Sequence, residues 1–390
     1  MQMLGTGPIN EPDTRRELRE MTAGLLGRHL PTEQALITDR EGSFDRSLWL
    51  RLGEAGLLGI GAEERVGGSG GTVGDAVTVT EELARVLPSL AVDYVLSGMA
   101  MRMLAEPDCG PVADWLPEVA AGRMICSYGL SEPGGGTDLL ALRAWATEVD
   151  GEWRVSGQKT WISLAGEADQ VFVLCRTDPA EKGRRSRGLS LIAVPTDQPG
   201  VAVRRVHLAG MRAAMTYEVF LDDAVAPLAN LVGARGRGMQ VLSKALDVER
   251  VMAAAISLGL ARGALDLHIA YAREREAFGT PIGAFQAIQH PAADSIAELS
   301  AARALINSTV AMIEAGQEAL AYSAMAKLFA AETAARIVDR GMRAMGAMGL
   351  ADESAMQMYF RDARLQLFSP ISNEMVRNLL GESLGLPRSY

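Results

Sequence analysis

The sequence has few of the residues that build disulfide frameworks and metal centres. Only three cysteines and four histidines occur among its 390 residues. Cys109, Cys126 and Cys175 are widely spaced, form no CxxC pair and cannot all pair with one another, which indicates a reducing compartment. The histidines are scattered, as expected of ordinary surface or core residues rather than ligands or a catalytic base. We therefore expect no metal site and a cytoplasmic location.

Excess positive charge and long uninterrupted apolar runs are also missing. The net charge is -10 and the pI is near 5.1, which argues against a nucleic-acid or anionic-membrane surface. The first twenty residues contain no apolar signal core, and the apolar stretch 251–265 meets Arg262 too early to span a bilayer. We expect neither secretion nor membrane insertion, and partners that are small molecules or proteins.

The periodicity of apolar residues divides the chain into three regions. Residues 1–125 repeat at three- and four-residue spacing and predict a helical domain, interrupted by a glycine-rich loop at residues 61–75. Residues 126–232 alternate with a period of two and predict a β domain, with a tight hairpin at Asp150-Gly151. Residues 233–390 return to helices that are apolar nearly all round, which predicts a four-helix bundle whose outer faces pack against sister subunits. The fold class is mainly α with a middle β domain.

Five motifs occur in the same order and at compatible spacing in a known family. They are "GLLGIGAEERVGGSGG", "YGLSEPGGGTDLLAL", "GQKTWIS", "REREAFGTPIGAFQAIQ" and "RAMGAMG" followed by "YFRDAR". Together they resemble the acyl-CoA dehydrogenase family of flavoproteins over nearly the whole chain. The resemblance implies a β-barrel-like middle domain between two helical domains, FAD as cofactor, and a homotetramer.

The second and third motifs resemble the segments that hold the flavin in that family. Glycines in "SEPGGGTD" let backbone N–H groups approach an anion, although a glycine-rich turn alone is usually only a turn. Trp161 matches the residue that lies against the isoalloxazine, and the alternative is a core aromatic in a strand. Ser163 keeps the hydroxyl of the family's usual threonine. The resemblance implies that Tyr128, Leu130, Ser131, Thr137, Trp161 and Ser163 contact FAD.

The later motifs resemble the segments that reach a neighbouring subunit's FAD. Arg275, Phe278 and Gln286 match such residues, and arginine offers several fixed donors to a pyrophosphate. A salt bridge on a solvated turn is the alternative for Arg275. The resemblance also implies cofactor contacts for Arg343, Gly346 and Ser372, although Arg343 stands where many relatives have glutamine, and "GAMG" at residues 346–349 replaces a more glycine-rich turn.

The catalytic carboxylate of most family members is missing. Aligned from "RDAR", their Glu-Gly-Thr segment reads Pro370, Ile371 and Ser372 here. A minority of the family, including isovaleryl-CoA dehydrogenase, carries the base on the first long bundle helix, in a segment resembling "LDVER". That match places the base at Glu249, on one helical stripe with Met252 and other apolar residues, where burial would raise its pKa. The alternative is a first-turn glutamate stabilised by the helix dipole or by another charge.

Pro370 also lacks the backbone N–H that the family directs at the substrate's thioester carbonyl. Ser369 or Ile371 could donate instead, a flavin hydroxyl could carry more of the activation, or the reaction could differ. The resemblance further implies substrate contacts for Thr137, Asp247 and Arg250. For Asp247 and Arg250 the alternative is helix capping and an ordinary ion pair.

The resemblance implies the α,β-dehydrogenation of an acyl thioester, either acyl-CoA or an acyl-carrier-protein conjugate. Glu249 would take the α-proton, flavin N5 would accept the β-hydride, and an acceptor such as an electron-transfer flavoprotein would reoxidise the cofactor. The alternatives are a flavin-dependent monooxygenase on the same fold, suggested by Pro370, and a catalytically decayed flavin-binding oligomer.

Overall fold

The computed structural model describes residues 5–8, 11–106, 108–136, 138–180 and 182–387, with the backbone alone for residues 244–247. Two predicted site residues are affected. Thr137 lies outside the described residues, and so does the side chain of Asp247.

The N-terminal region is helical, as its periodicity predicts. The glycine-rich loop lies between the third and fourth helices, and α4 begins with a capping box in which the Thr72 hydroxyl accepts from the Asp75 N–H while the Asp75 carboxylate accepts from the Thr72 N–H. The helices are α1 (Asp13–His29), α2 (Thr32–Glu41), α3 (Arg46–Glu54), α4 (Val73–Val86), α5 (Pro88–Leu104) and α6 (Leu116–Ala120).

The middle region folds into one sheet with strand order β6-β7-β3-β2-β4-β5-β8, and β1 pairs in parallel with β4. The predicted hairpin is confirmed, because Val149 pairs with Glu152 and the two residues between them have positive φ, 52° at Asp150 and 81° at Gly151. The strands are β1 (Cys126–Gly129), β2 (Trp145–Val149), β3 (Glu152–Ser163), β4 (Gln170–Arg176), β5 (Leu189–Pro195), β6 (Val201–Val206), β7 (Thr216–Pro227) and β8 (Leu231–Val232).

The C-terminal region is a helical domain built around one long central helix, which packs against helices of both helical regions. In an apolar 18-residue stretch of Val248–Glu274, 78% of the residues are buried, whereas only 33% are buried in an equally apolar stretch of the next long helix, Gln286–Glu314. The elements are α7 (Gly238–Glu274), β9 (Glu276–Ala277), β10 (Thr280–Pro281), α8 (Gln286–Glu314), α9 (Leu320–Met345), α10 (Ala347–Leu350), α11 (Ala355–Gln366) and α12 (Asn373–Ser383).

A buried charge network joins α4 to three other helices. Glu81 accepts from Arg303 at 2.7 and 2.8 Å, and Glu81 and Glu82 both pair with Arg19 and Arg262. Burial alone would raise the pKa of Glu81, but the arginines lower it to about 2. Because each charge has its partners, the network can hold α4 and α7 together inside the protein. These two helices form walls of the cavity described next.

Candidate active site

Glu249 is half-buried and lies well away from either end of its helix. Because α7 begins at Gly238, Glu249 is about three turns from the N-terminus, too far for the helix dipole to stabilise it. Its side chain lines a cavity of about 20 Å³ between α4, α5 and α7. The first-turn explanation of this glutamate is therefore wrong.

The electrostatics of Glu249 are those of a carboxyl group in an apolar site. Burial raises its pKa to about 7, and Arg250 opposes that shift. Among the side chains that the structure describes, none forms an ion pair with Glu249, so stabilisation by a partner charge does not explain it either. A carboxyl with this pKa can exchange a proton near neutral pH, which is what a general base needs.

Tyr128, at the end of β1, is brought close to this cavity. Burial, Cys126 and Glu249 all raise the pKa of Tyr128, so its hydroxyl lies within electrostatic reach of the Glu249 carboxyl. The Tyr128 Oη atom is buried and has no hydrogen-bond partner among the described residues. Buried hydroxyls normally have a partner, so this atom is suited to a ligand group.

The glycine-rich segment that follows β1 is held against β3 by backbone contacts. The Thr160 N–H donates to the Ser131 carbonyl at 3.0 Å, and the Ser127 hydroxyl donates to the Ser163 carbonyl. The segment that contains Tyr128, Leu130 and Ser131 therefore lies beside the end of β3 that contains Trp161 and Ser163.

A buried ion pair also joins β3 to the glycine-rich segment that follows β1. The Lys159 Nζ, which is fully buried, donates to Glu132 at 2.9 Å and to the Leu130 carbonyl at 3.3 Å. Glu132 also accepts from the N–H groups of Arg143 and Ala144 at 2.7 and 2.9 Å. With its carboxylate fully engaged, Glu132 fixes the path of the glycine-rich segment.

Trp161 is turned out of the sheet. The pairing of β3 with β7 is irregular between Lys159 and Ile162, and Trp161 has a φ of 62° and an exposed fraction of 61%. A bulge of this kind re-aims a side chain, so the alternative of a core aromatic is wrong. An exposed indole, the orphan Tyr128 hydroxyl and a glycine-rich backbone suit a planar, phosphate-bearing cofactor such as FAD.

Arg275, Phe278 and Gln286 lie together at the far end of α7. Arg275 caps α7, Phe278 is 97% exposed with its ring 6.1 Å from that of Phe285, and Gln286 begins α8. At 1.5 Å per residue, Arg275 is about 39 Å along α7 from Glu249. In a single subunit this group is therefore remote from Trp161 and Tyr128.

The remaining predicted cofactor residues lie at helix ends. Arg343, in the last turn of α9, pairs with Asp339 at 2.8 Å, and Gly346 follows with a φ of 58°. Ser372 begins α12, where its hydroxyl accepts from the Met375 N–H at 3.2 Å. The structure brings none of these three into the group around Trp161 by a described contact.

The segment around Pro370 is anchored by a second buried lysine. The Lys327 Nζ donates to the Ile371 carbonyl and to Asn373 Oδ1, both at 2.7 Å. Burial lowers the pKa of Lys327 to about 8. The Ser369 N–H donates to the Leu365 carbonyl at 2.9 Å, whereas the Ile371 N–H has no acceptor among the described residues. Of the two amides that flank Pro370, only that of Ile371 lacks an acceptor among the described residues.

Sequence reasoning missed three residues of this region. Lys159 and Lys327 are buried lysines, and Arg102 lines the same cavity as Glu249. No pattern distinguishes these cations from surface ones, because their burial results from packing between elements that are distant in sequence. An arginine between methionines in "GMAMRML" is the only local signal.

Family models match all three regions of the chain. They are described as the N-terminal domain of acyl-CoA dehydrogenase at residues 12–123, the middle domain at 127–224 and the C-terminal domain at 236–385.

Individual relatives cover almost the whole chain. The chain is 32% identical to acyl-CoA dehydrogenase FadE12 of Mycobacterium tuberculosis, covering 97% of this chain and 98% of that protein. It is 30% identical to the mitochondrial isovaleryl-CoA dehydrogenase of Pongo abelii, covering 95% and 88%. The solved structure of butyryl-CoA dehydrogenase from Megasphaera elsdenii superposes with a TM-score of 0.89 at 26% identity, covering 97% and 100%. The chain therefore belongs to the acyl-CoA dehydrogenase family of FAD-dependent oxidoreductases, which dehydrogenate acyl-CoA at a CH–CH bond.

Proposed function

We propose that Glu249 is the catalytic base of this enzyme, and that the substrate's acyl group enters the cavity that Glu249 lines. The observation that carries the proposal is a cavity-lining carboxyl with a pKa of about 7 and no ion-pair partner among the described side chains, in a chain with proline at the usual base position. The similarity to isovaleryl-CoA dehydrogenase supports it, because the resemblance assigns that enzyme's base to the same helix.

The proposed roles of the chain's own residues follow from their chemistry. Glu249 accepts the α-proton in its ionised form, and its apolar surroundings strengthen it as a base. The free N–H of Ile371 donates to the thioester carbonyl in place of the amide that Pro370 lacks, and so stabilises the developing enolate charge. FAD, when bound, supplies the acceptor for the β-hydride, and the α,β-double bond forms as both hydrogens leave.

The proposed FAD site spans two subunits. Tyr128, Leu130, Ser131, Trp161 and Ser163 would hold the flavin end. A second group lies beyond the C-terminal end of α7 and is too far away to reach the same FAD molecule. This group, Arg275, Phe278 and Gln286, would contact the FAD of a neighbouring subunit. The largely exposed apolar helix α8 supports an oligomer, for which we propose a tetramer. For six further residues, the roles that the resemblance implies remain predictions. These residues are Arg343, Gly346, Ser372, Thr137, Asp247 and Arg250.

The cellular setting is also a proposal. All three cysteines are free and buried, which supports a reducing compartment such as the cytoplasm. An electron-transfer flavoprotein is the proposed acceptor. Fractionating the native host tests the location, and recovery of the protein outside the cytoplasm would contradict it. Mixing the substrate-reduced enzyme with the host's own electron-transfer flavoprotein tests the acceptor, and a flavin that is not reoxidised would contradict it.

Anaerobic reduction of the bound flavin by acyl thioesters tests the base. We expect Glu249→Gln to retain FAD at the wild-type stoichiometry but to slow substrate-driven bleaching by about 100-fold or more, the scale of a lost general base. Glu249→Asp, which keeps a shortened carboxylate, should lose less. Acyl-CoA and acyl-carrier-protein thioesters are compared in the same assay.

Two results would overturn the proposal. Unchanged bleaching in Glu249→Gln would exclude Glu249 as the base. A wild-type flavin that no thioester reduces without oxygen, but that consumes oxygen once chemically reduced and oxygenates a substrate, would identify a monooxygenase instead.

A further inference from the structure

The cavity that contains Glu249 also contains an arginine. Arg102 lies in the last turn of α5, between the buried side chains of Met101 and Met103. Its guanidinium lies against the loop after α3, because a Cβ atom placed on Gly61 would be 3.0 Å from Arg102 Nη2. Apart from Tyr94 and Glu249, the other cavity-lining residues are apolar or glycine.

Arg102 has no counter-ion in the part of the chain that the structure describes. No described carboxylate lies within 4.0 Å of it, and it makes no hydrogen bond with a described group. Asp75, which is close enough to influence Tyr94, pairs with Arg15 at 3.3 Å. Burial lowers the pKa of Arg102, while Tyr94 opposes that shift. Arg102 is half-buried. A charge that is partly withdrawn from water without a partner is unfavourable, so a ligand group of opposite charge would stabilise it.

Glu249 is not the missing partner. The charged group that acts on the Glu249 carboxyl is Arg250. Arg102 and Glu249 both line the cavity, but no salt bridge or hydrogen bond joins these two described side chains. The C-terminal carbonyls of α5 favour a cation in the last turn, but an arginine turned towards solvent would satisfy them equally well. The helix end does not explain why the guanidinium faces the cavity.

We propose that Arg102 selects acyl thioesters whose acyl chain ends in a second carboxylate. This rests on the proposed function, in which the acyl chain enters the cavity past Glu249. A guanidinium offers a planar pair of donors that matches both oxygens of a carboxylate. A chain that ends in a methyl group would leave the cation buried and unpaired in the complex, whereas a terminal carboxylate would neutralise it.

Matched substrate pairs test the proposal on the FAD-loaded enzyme. Each pair consists of two saturated acyl-CoA thioesters of equal length, from four to ten carbons, one ending in a methyl group and one in a carboxylate. For at least one length, we expect a higher kcat/KM for the carboxylate-ended thioester. Arg102→Met should lower the ratio of the two kcat/KM values by about 100-fold or more, because its site no longer pairs the carboxylate. Arg102→Lys, which keeps the charge but loses the planar pair of donors, should retain part of the preference.

Met99→Leu is the matched control, because Met99 lines the same cavity from the same helix without a charge. Met99→Leu should change the kcat/KM values of both thioesters of a pair by a similar factor. A wild-type preference for methyl-ended chains at every length, or an unchanged ratio in Arg102→Met, would overturn the role of Arg102 and leave the proposed function standing. If Arg102→Met does not retain FAD, Arg102→Gln and the wild-type ratio decide the question. Failure of every thioester to reduce the flavin would instead contradict the proposed function.

Discussion

Replacing Glu249 with glutamine should stabilise the free enzyme at alkaline pH while it removes activity. The pKa of Glu249 is about 7 in the folded protein, against 4.5 for an ordinary glutamate. A raised pKa means that the folded state favours the protonated form. The contribution of Glu249 to the free energy of unfolding is therefore most favourable below about pH 4.5. It decreases as the pH rises to about 7, above which the carboxyl is ionised in both the folded and the unfolded state.

The size of the effect follows from that shift. Each unit of pKa difference is worth about 1.4 kcal/mol, so ionised Glu249 costs the folded state up to about 3 kcal/mol above pH 7. Glutamine carries no charge at any pH and avoids this cost, although its buried amide reduces the gain. We expect Glu249→Gln to raise the free energy of unfolding by about 2 kcal/mol at pH 8 and by less than about 0.5 kcal/mol at pH 5.5. The cost of the charge falls from about 3 to about 1.4 kcal/mol between these pH values, whereas the amide's cost of about 1 kcal/mol is the same at both.

Urea unfolding of the FAD-loaded protein, without substrate and at one subunit concentration, measures this difference at the two pH values. Glu298→Gln is the control, for which we expect a decrease in the free energy of unfolding rather than an increase. Glu298 pairs with Arg336 at 2.9 Å and with Arg340 at 2.8 Å, and glutamine would remove both ion pairs. That variant should be slightly less stable than wild type at pH 8, since the pairs are partly exposed. If Glu249→Gln were the less stable protein at pH 8, or if its gain did not change with pH, Glu249 would be a paired structural carboxylate and the reasoning would fail.

Two further predictions concern the proposed donor and the proposed subunit contact. Ile371→Pro removes the free N–H and should lower kcat for substrate-driven flavin reduction by about 100-fold relative to Ile371→Ala, the scale of one oxyanion donor; equal kcat values would exclude that donor. Phe278→Asp should weaken both the oligomer and FAD retention, because it places a charge on a 97% exposed aromatic at the proposed interface. Sedimentation velocity and the flavin-to-protein ratio measure these effects, and a variant of wild-type mass and full FAD content would contradict the shared site.

Most of the architecture could be predicted from local patterns. The Asp150-Gly151 turn and the helical and strand periodicities depend on neighbouring residues, so the three regions and the β2–β3 hairpin are confirmed. The family resemblance, carried by motifs in order, is confirmed by family models that match residues 12–123, 127–224 and 236–385. Periodicity alone also places Glu249 on an apolar helical stripe.

The environment of each charged group depends on packing between distant segments, and only the tertiary structure could decide it. Glu249 is three turns into α7, beside residues of α4 and α5, and has no ion-pair partner among the described side chains, whereas the sequence alone also allowed a helix-start or ion-pair role. Arg102 and Lys327 look like ordinary surface cations in sequence, yet one lines the cavity and the other holds the Ile371 carbonyl at 2.7 Å. The sequence by itself determined the type and order of the elements, because hydrophobic periodicity and turn chemistry act over a few residues. Burial, pKa and the choice of partner were decided by the fold, because desolvation depends on everything that surrounds a side chain.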